Sequence, residues 1–123
     1  MYMYVCPFMI RAAYKIVINT SARNLTLYKD EKWFMSFPVA VGKPSTPTPK
    51  GTYRIINKAV NPGGPFGARW LGLSIPSGGY GIHGTNDPSS IGKAVSHGCV
   101  RMHNNDVITL YNIVSVGTTV EII

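Results

Sequence analysis

Tyr14–Gly42 reads YKIVINTSARNLTLYKDEKWFMSFPVAVG, and apolar side chains recur through it at nearly every second position. A period of two belongs to strands, whose successive side chains point to opposite faces. YKIVIN (Tyr14–Asn19) is a β-rich run, SARN (Ser21–Asn24) makes a turn, and LTLYK sets Leu25 and Leu27 against Thr26 and Tyr28. The two runs read as a hairpin. Asp30 and Glu31 turn the chain into WFMSFPVAVG, where Trp33, Met35, Phe37, Val39 and Val41 are predicted to share one face. Pro38 has no N–H to give, which places a sheet edge or a bulge there.

Beyond this block the same habit continues. KPSTPTPKG (Lys43–Gly51) cannot be regular structure, because Pro44, Pro47 and Pro49 each remove a donor and fix φ. GTYRIINK restarts a strand with Tyr53 and Ile55 facing one way. NPGGPFGARW (Asn61–Trp70) is a second Gly/Pro loop, followed by LGLSI and then YGIHG. One segment breaks the pattern. Val107, Leu110, Tyr111 and Val114 fall at i, i+3, i+4 and i+7, with Asn104 or Asn105 as cap and Asp106 in the first turn. That spacing predicts an amphipathic helix ending near Gly117. The closing GTTVEII alternates again. The expected fold is mainly β, a sandwich or barrel with one packed amphipathic helix near the C-terminus.

A chain of 123 residues with 45% apolar content suits one domain around one core, and it contains no internal repeat or linker. The expected division is a tail over residues 1–13 and a domain over 14–123. The formal net charge of +7 favours an anionic setting. Yet Lys15, Arg23, Lys29, Lys43, Lys50, Arg54, Arg69 and Lys93 are scattered, and no nucleic-acid motif accompanies them. No apolar run reaches the length of a transmembrane helix. The start, MYMYVCPFMIR, lacks the basic region of a signal peptide. Cys6 is read there as an inert thiol, and two cysteines make no disulfide framework.

The reactive side chains crowd into Tyr80–His103, YGIHGTNDPSSIGKAVSHGCVRMH, which holds all three histidines and Cys99. Packing alone would account for a buried cysteine. A zinc site would use His83, His97, Cys99 and His103, but the single residue between His97 and Cys99 is too short for the usual paired ligands. No metal or other cofactor is therefore expected. A cysteine nucleophile accounts for more. A thiol is mostly protonated at neutral pH and needs a base or a positive field. SHGCVR supplies a thiol, an imidazole, a flexible Gly98 and a fixed charge, Arg101, within six residues. His83, carried on a separate element, can approach the sulfur laterally, as the base of a Cys–His pair usually does. Its other ring nitrogen needs an acceptor, either Asp87 or a backbone carbonyl such as that of Gly84.

IHGTN followed by SHGCVRM resembles the signature of the L,D-transpeptidase catalytic domain, the YkuD family. VAVGKPSTPTPKGTYRI, NPGGPFGARWLGLS and HNNDVITLYNIVSVGTTVEI extend the likeness over residues 14–123. The resemblance implies a β-sandwich-like catalytic fold that remodels peptidoglycan through a thioester on cysteine and is acylated by carbapenems. It implies Cys99 as nucleophile, His83 as base, and the Gly84 carbonyl as the group that orients it. The N–H groups around Gly98 and Cys99 would form the oxyanion hole. Ser96, His97 and Arg101 would shape the pocket or hold substrate, His97 not being the essential base.

The partners implied are peptidoglycan stem peptides, with anionic wall polymers as a second class and no nucleic acid. The place of action implied is extracytoplasmic, at the cell wall or spore envelope, and a monomer is expected. Family members often carry a wall-binding module such as LysM before the catalytic domain. With 13 residues before the first strand, the chain is expected to be either a catalytic domain by itself or a single-domain form. Hydrolysis of the same acyl-enzyme by a peptidase or carboxypeptidase, and a non-catalytic wall-binding module, are the rival readings.

Overall fold

The computed structural model describes residues 13–123; residues 1–12, Cys6 among them, lie outside the described residues. Its elements are β1 (Tyr14–Asn19), β2 (Asn24–Lys29), β3 (Lys32–Gly42), β4 (Gly51–Val60), β5 (Arg69–Leu73), β6 (Gly81–His83), β7 (Ala94–Ser96), β8 (Val100–Met102), α1 (Asn104–Ile113) and β9 (Thr119–Ile122). The opening block forms the expected hairpins. β1 pairs antiparallel with β2, and β2 with β3. Asp30 and Glu31 both take positive φ, 51° and 69°, the double left-handed turn whose twist matches a two-residue hairpin.

The predicted face of β3 holds for Phe37, Val39 and Val41, which are buried, and Met35 packs on the core from its edge. It fails for Trp33, which is 65% exposed. The pairing runs Leu27 with Met35 but Tyr28 with Trp33, so Phe34 is the extra residue of a β-bulge. One inserted residue reverses the side-chain alternation beyond it. Trp33 therefore lies on the outer face, where its indole N–H donates to Ser36 Oγ at 2.9 Å.

The sheet order is β2-β1-β9-β4-β5-β6-β8-β3-β7, with β2 also paired to β3. Eight strands thus close on themselves, and β7 hangs on the end of β3. Closure depends on two long strands that change partners. β3 leaves β2 at Pro38 and joins β8 from Val39 onward. Pro38 sits at that corner, exposed, where the ladder needs no donor. β4 pairs with β9 through Gly51–Arg54 and with β5 from Ile55, with a register shift that leaves Ile56 outside. The result is the expected β-sandwich-like body, two sheets joined through β3 and β4. Ile16, Ile18, Leu25, Leu27, Leu71 and Ile82 are completely buried between them.

α1 packs against β5 and β6, with Val107 and Leu110 fully buried and Val114 nearly so. It ends at Ile113, four residues short of Gly117. His103, not Asn104 or Asn105, occupies the N-cap position, and no side chain caps the first turn. Asn104 instead turns its carboxamide toward the strands below, a use described with the site. At the other end Lys58 Nζ donates to Tyr111 O and Val114 O, each at 2.7 Å, and satisfies carbonyls that the helix leaves free.

Candidate active site

The nucleophile candidate stands in the tight turn His97–Cys99 between β7 and β8. Gly98 has φ 126°, a conformation that side chains rarely tolerate, and a Cβ there would come within 2.5 Å of Tyr80 Cε1. The turn is tied from inside by Ser96, which is 1% exposed. Its hydroxyl accepts from Gly98 N at 3.0 Å and donates to Cys99 O at 2.6 Å. The proline-rich segment after β3 adds two further ties. Thr48 Oγ1 donates to Gly98 O at 2.8 Å, and Thr46 Oγ1 donates to Ser96 O at 2.9 Å.

His83 ends β6, in register with Trp70 on β5 and Arg101 on β8. Its ring stacks on Trp70, with centroids 5.7 Å apart and planes 14° from parallel, and meets Phe66 edge-on at 5.2 Å. His83 Nδ1 lies 2.5 Å from Gly84 O. The carbonyl can only accept, so Nδ1 carries the proton and Nε2 is left with a lone pair. Between the two acceptors the sequence left open, the structure places Gly84 O at the ring. Asp87 is occupied elsewhere, its Oδ1 accepting from Ser89 Oγ at 2.6 Å.

Asn104 holds this acceptor in place. Its Oδ1 accepts from Ala68 N at 3.0 Å and Thr85 N at 3.2 Å, while Nδ2 donates to Thr85 O at 3.0 Å. Gly67 and Gly84 make room for the carboxamide, since a Cβ on either would collide with Asn104 Oδ1.

His83 and Cys99 face one cleft of about 450 Å³, which Pro65, Phe66, Tyr80, Ser96, His97 and Arg101 also line. Burial pushes the Cys99 thiol up, and the Gly81 amide and the Arg101 cation pull it back in part. Burial pushes His83 below the usual imidazole range; the Gly84 hydrogen bond opposes that shift and Arg101 adds to it. Both shifts favour a neutral thiol beside a neutral imidazole. The thiol hydrogen bonds to Gly79 O at 3.7 Å, on the glycine loop bordering the cleft. His97 reaches the rim and is exposed. His103 lines a different hollow, with Thr85, Asn86 and Asp106. Among the described residues no three His, Cys, Asp or Glu side chains gather as metal ligands.

Residues 13–122 match the L,D-transpeptidase catalytic domain, YkuD. The chain belongs to this family. It is 56% identical over 109 residues to YkuD of Bacillus subtilis, named as an L,D-transpeptidase, covering 89% of this chain and 65% of that one. The chain therefore spans just under two thirds of the length of the curated relatives it matches first. Among solved structures, an L,D-transpeptidase from Mycobacterium smegmatis superposes with a TM-score of 0.80 at 25% identity, over 91% of this chain and 59% of that one. The catalytic domain from the E. faecium L,D-transpeptidase gives 0.76 at 26% identity, over 93% of this chain and 99% of that one.

Within this L,D-transpeptidase fold, Cys99, His83, Gly84, Gly98, Ser96, His97 and Arg101 all come to one place. Sequence reasoning missed the residues that hold them there. Trp70 braces the imidazole and is itself fixed by Asn57, whose Oδ1 accepts from its indole N–H at 3.0 Å. Asn104 has the residue type and position of a helix cap, and Thr48 lies in a proline-rich loop. A signal existed for Trp70, an aromatic next to a Gly/Pro loop. No local pattern marked the other two.

Proposed function

We propose that this domain is the catalytic unit of a cysteine L,D-transpeptidase acting on peptidoglycan stem peptides. The observation that carries this reading is that His83, at the end of β6, and Cys99, in the turn between β7 and β8, face one cleft, with Nδ1 engaged by Gly84 O. That engagement leaves Nε2 as the base.

In the first half-reaction Nε2 takes the thiol proton as Cys99 Sγ attacks the carbonyl of an L-centre in the donor stem. The tetrahedral oxyanion is met by backbone N–H at the Cys99 turn. As the intermediate collapses, the C–N bond to the terminal D-alanine breaks, and His83 returns its proton to the departing amine. In the second half-reaction an amine of a neighbouring stem attacks the thioester and gives a proton to Nε2. The C–S bond breaks, an L,D amide forms, and the thiol is restored. Because the imidazole stays neutral, it can serve as base without first being deprotonated.

Arg101 raises the fraction of thiolate and is placed to hold a stem carboxylate. His97 at the rim contacts substrate, and Ser96 shapes the turn through its two backbone bonds. The domain acts outside the cytoplasm, at the cell wall or spore envelope, as a monomer, and its +7 charge adds attraction to anionic wall polymers. Among the described residues no helix is long and apolar enough to cross a membrane.

The test is the intact mass of the protein after incubation with a stem tetrapeptide or a carbapenem. An adduct on the native chain that disappears in Cys99→Ala is expected. Folded native protein that forms no adduct would sink the transpeptidase reading, and a hydrolysed tetrapeptide with no cross-linked dimer would turn it into a peptidase.

A further inference from the structure

Thr48 sits in the proline-rich segment Lys43–Gly51, yet it is only 5% exposed. Its hydroxyl accepts from Gly42 N at 2.9 Å and donates to Gly98 O at 2.8 Å. The donor role is unambiguous, because Gly42 N–H already supplies the hydrogen on the other side and a hydroxyl has one proton to give. Gly42 permits the approach, since a Cβ there would lie 2.6 Å from Thr48 N.

The consequence lies in the peptide unit joining Gly98 to Cys99. Around Cys99 three consecutive units matter. The first, His97–Gly98, is held by Gly98 N–H on Ser96 Oγ, so that amide is engaged. The third carries Cys99 O, which accepts from the same hydroxyl. The middle one is held by Thr48 at Gly98 O. In a planar trans unit the C=O and N–H point in opposite directions. Thr48 is buried and is not among the cleft-lining residues, so Gly98 O points into the protein and away from the cleft. Drawing Gly98 O down toward Thr48 therefore turns Cys99 N–H up toward the cleft. Gly98, at φ 126°, has no side chain to hold that orientation by itself.

We infer that Thr48 is a positioning residue for the oxyanion hole, clamping the Gly98–Cys99 peptide so that Cys99 N–H meets the developing oxyanion. The inference rests on the transpeptidase reading. It narrows the oxyanion donor from the amides around Gly98 and Cys99 to that of Cys99, since the Gly98 amide is engaged by Ser96. It also makes the proline-rich segment a buttress of the site.

The test separates chemistry that forms an oxyanion from chemistry that does not. Iodoacetamide alkylates Cys99 at a saturated carbon, expelling iodide, and needs the thiolate alone. Acylation by a carbapenem or stem tetrapeptide needs the oxyanion as well. Thr48→Val keeps the shape and removes the donor; Thr48→Ser keeps the donor. In Thr48→Val, acylation should slow by about 10- to 100-fold, less than the roughly 10²- to 10³-fold lost when an oxyanion donor is removed outright, because the Cys99 amide is loosened and not deleted, while alkylation stays within about twofold. Thr48→Ser should recover most of the acylation rate. Unchanged acylation in Thr48→Val overturns the inference, as does a parallel fall of both reactions. Should Thr48→Val not fold, Thr48→Ala against Thr48→Ser is read the same way, and loss of folding in all three marks a scaffold residue and also overturns it. Native protein that is alkylated but never acylated rejects the transpeptidase reading instead.

Discussion

The imidazole of His83 lies flat on the indole of Trp70, 5.7 Å between centroids and 14° between planes. Cross-strand register puts the two residues opposite each other, and the Asn57 hydrogen bond stops the indole from turning. The stack sets the plane of the imidazole, and with it the approach of Nδ1 to Gly84 O. Trp70→Leu leaves an apolar residue but removes the flat support. Aromatic pairs contribute about 0.5–1.5 kcal/mol beyond burial, so the rate of acylation should fall by roughly 2- to 10-fold. Single-turnover acylation followed by mass checks this, and an unchanged rate would show that Gly84 O alone orients the ring.

His83 and His97 are separable by the same assay. His83→Ala removes the imidazole that shares the cleft with the sulfur, and acylation should fall by about 10²- to 10⁴-fold, the usual scale for a general base. His97→Ala should lose much less, and mainly in KM. The opposite ranking would move the base to His97.

The electrostatics of the pair predict a pH dependence. His83 titrates below the usual imidazole range, so the acid limb of the acylation profile should lie lower than that of a free histidine. Cys99 titrates above the usual thiol range, so alkylation should keep rising past the pH at which a free cysteine levels off. Replacing Arg101 by Gln should move both limbs up, because the cation lowers each. The folded state follows with opposite signs. The lowered His83 contributes stability that is present above the ordinary imidazole value and lost as pH falls through the folded one. The raised Cys99 contributes stability that is present below the ordinary thiol value and lost as pH rises through the folded one. Urea midpoints of native protein and Cys99→Ala should therefore converge on the alkaline side.

Gly98→Ala is expected to be poorly tolerated. Its backbone is at φ 126° and its Cβ would press on the Tyr80 ring. Strain of this type costs about 1–3 kcal/mol. Relief by rotation of the turn would also displace Cys99. Urea denaturation should show the loss of stability, and acylation of the folded fraction should be slower than in the native protein.

Asn104→Ala removes three hydrogen bonds and leaves Ala68 N, Thr85 N and Thr85 O without their partner. Unsatisfied buried groups cost about 1–3 kcal/mol each, less where water replaces the partner, so a loss of about 3 kcal/mol is expected. Hydrogen exchange should localise the effect to residues 67–68 and 84–85 ahead of the rest of the body. A uniform loss of protection would mean that Asn104 serves the helix as a whole.

Strand alternation over Tyr14–Gly42, the apolar spacing of Val107, Leu110 and Val114, and the chemistry of IHG and SHGCVR were legible because each is a relation between near neighbours. Phe37, Val39 and Val41 went to the core as their period required. Trp33 did not, since a single bulge at Phe34 reverses every side chain beyond it and no composition rule announces it. Asn104 has the residue type and position of a helix cap, and only the fold shows that its carboxamide is drawn to Gly67 and Gly84 instead.

By itself, then, the sequence determined the β habit of the chain, its one amphipathic helix, and the two short segments that hold a thiol and an imidazole. Tertiary structure alone decided which ring supports His83 and which hydroxyl orients the peptide before Cys99. The reason is separation along the chain: Thr48 meets Gly98 across 50 positions and Asn104 meets Ala68 across 36. Such contacts depend on the register of strands, the bulges that shift it and the corners where β3 and β4 change partners. None of these is a property of a local stretch of residues.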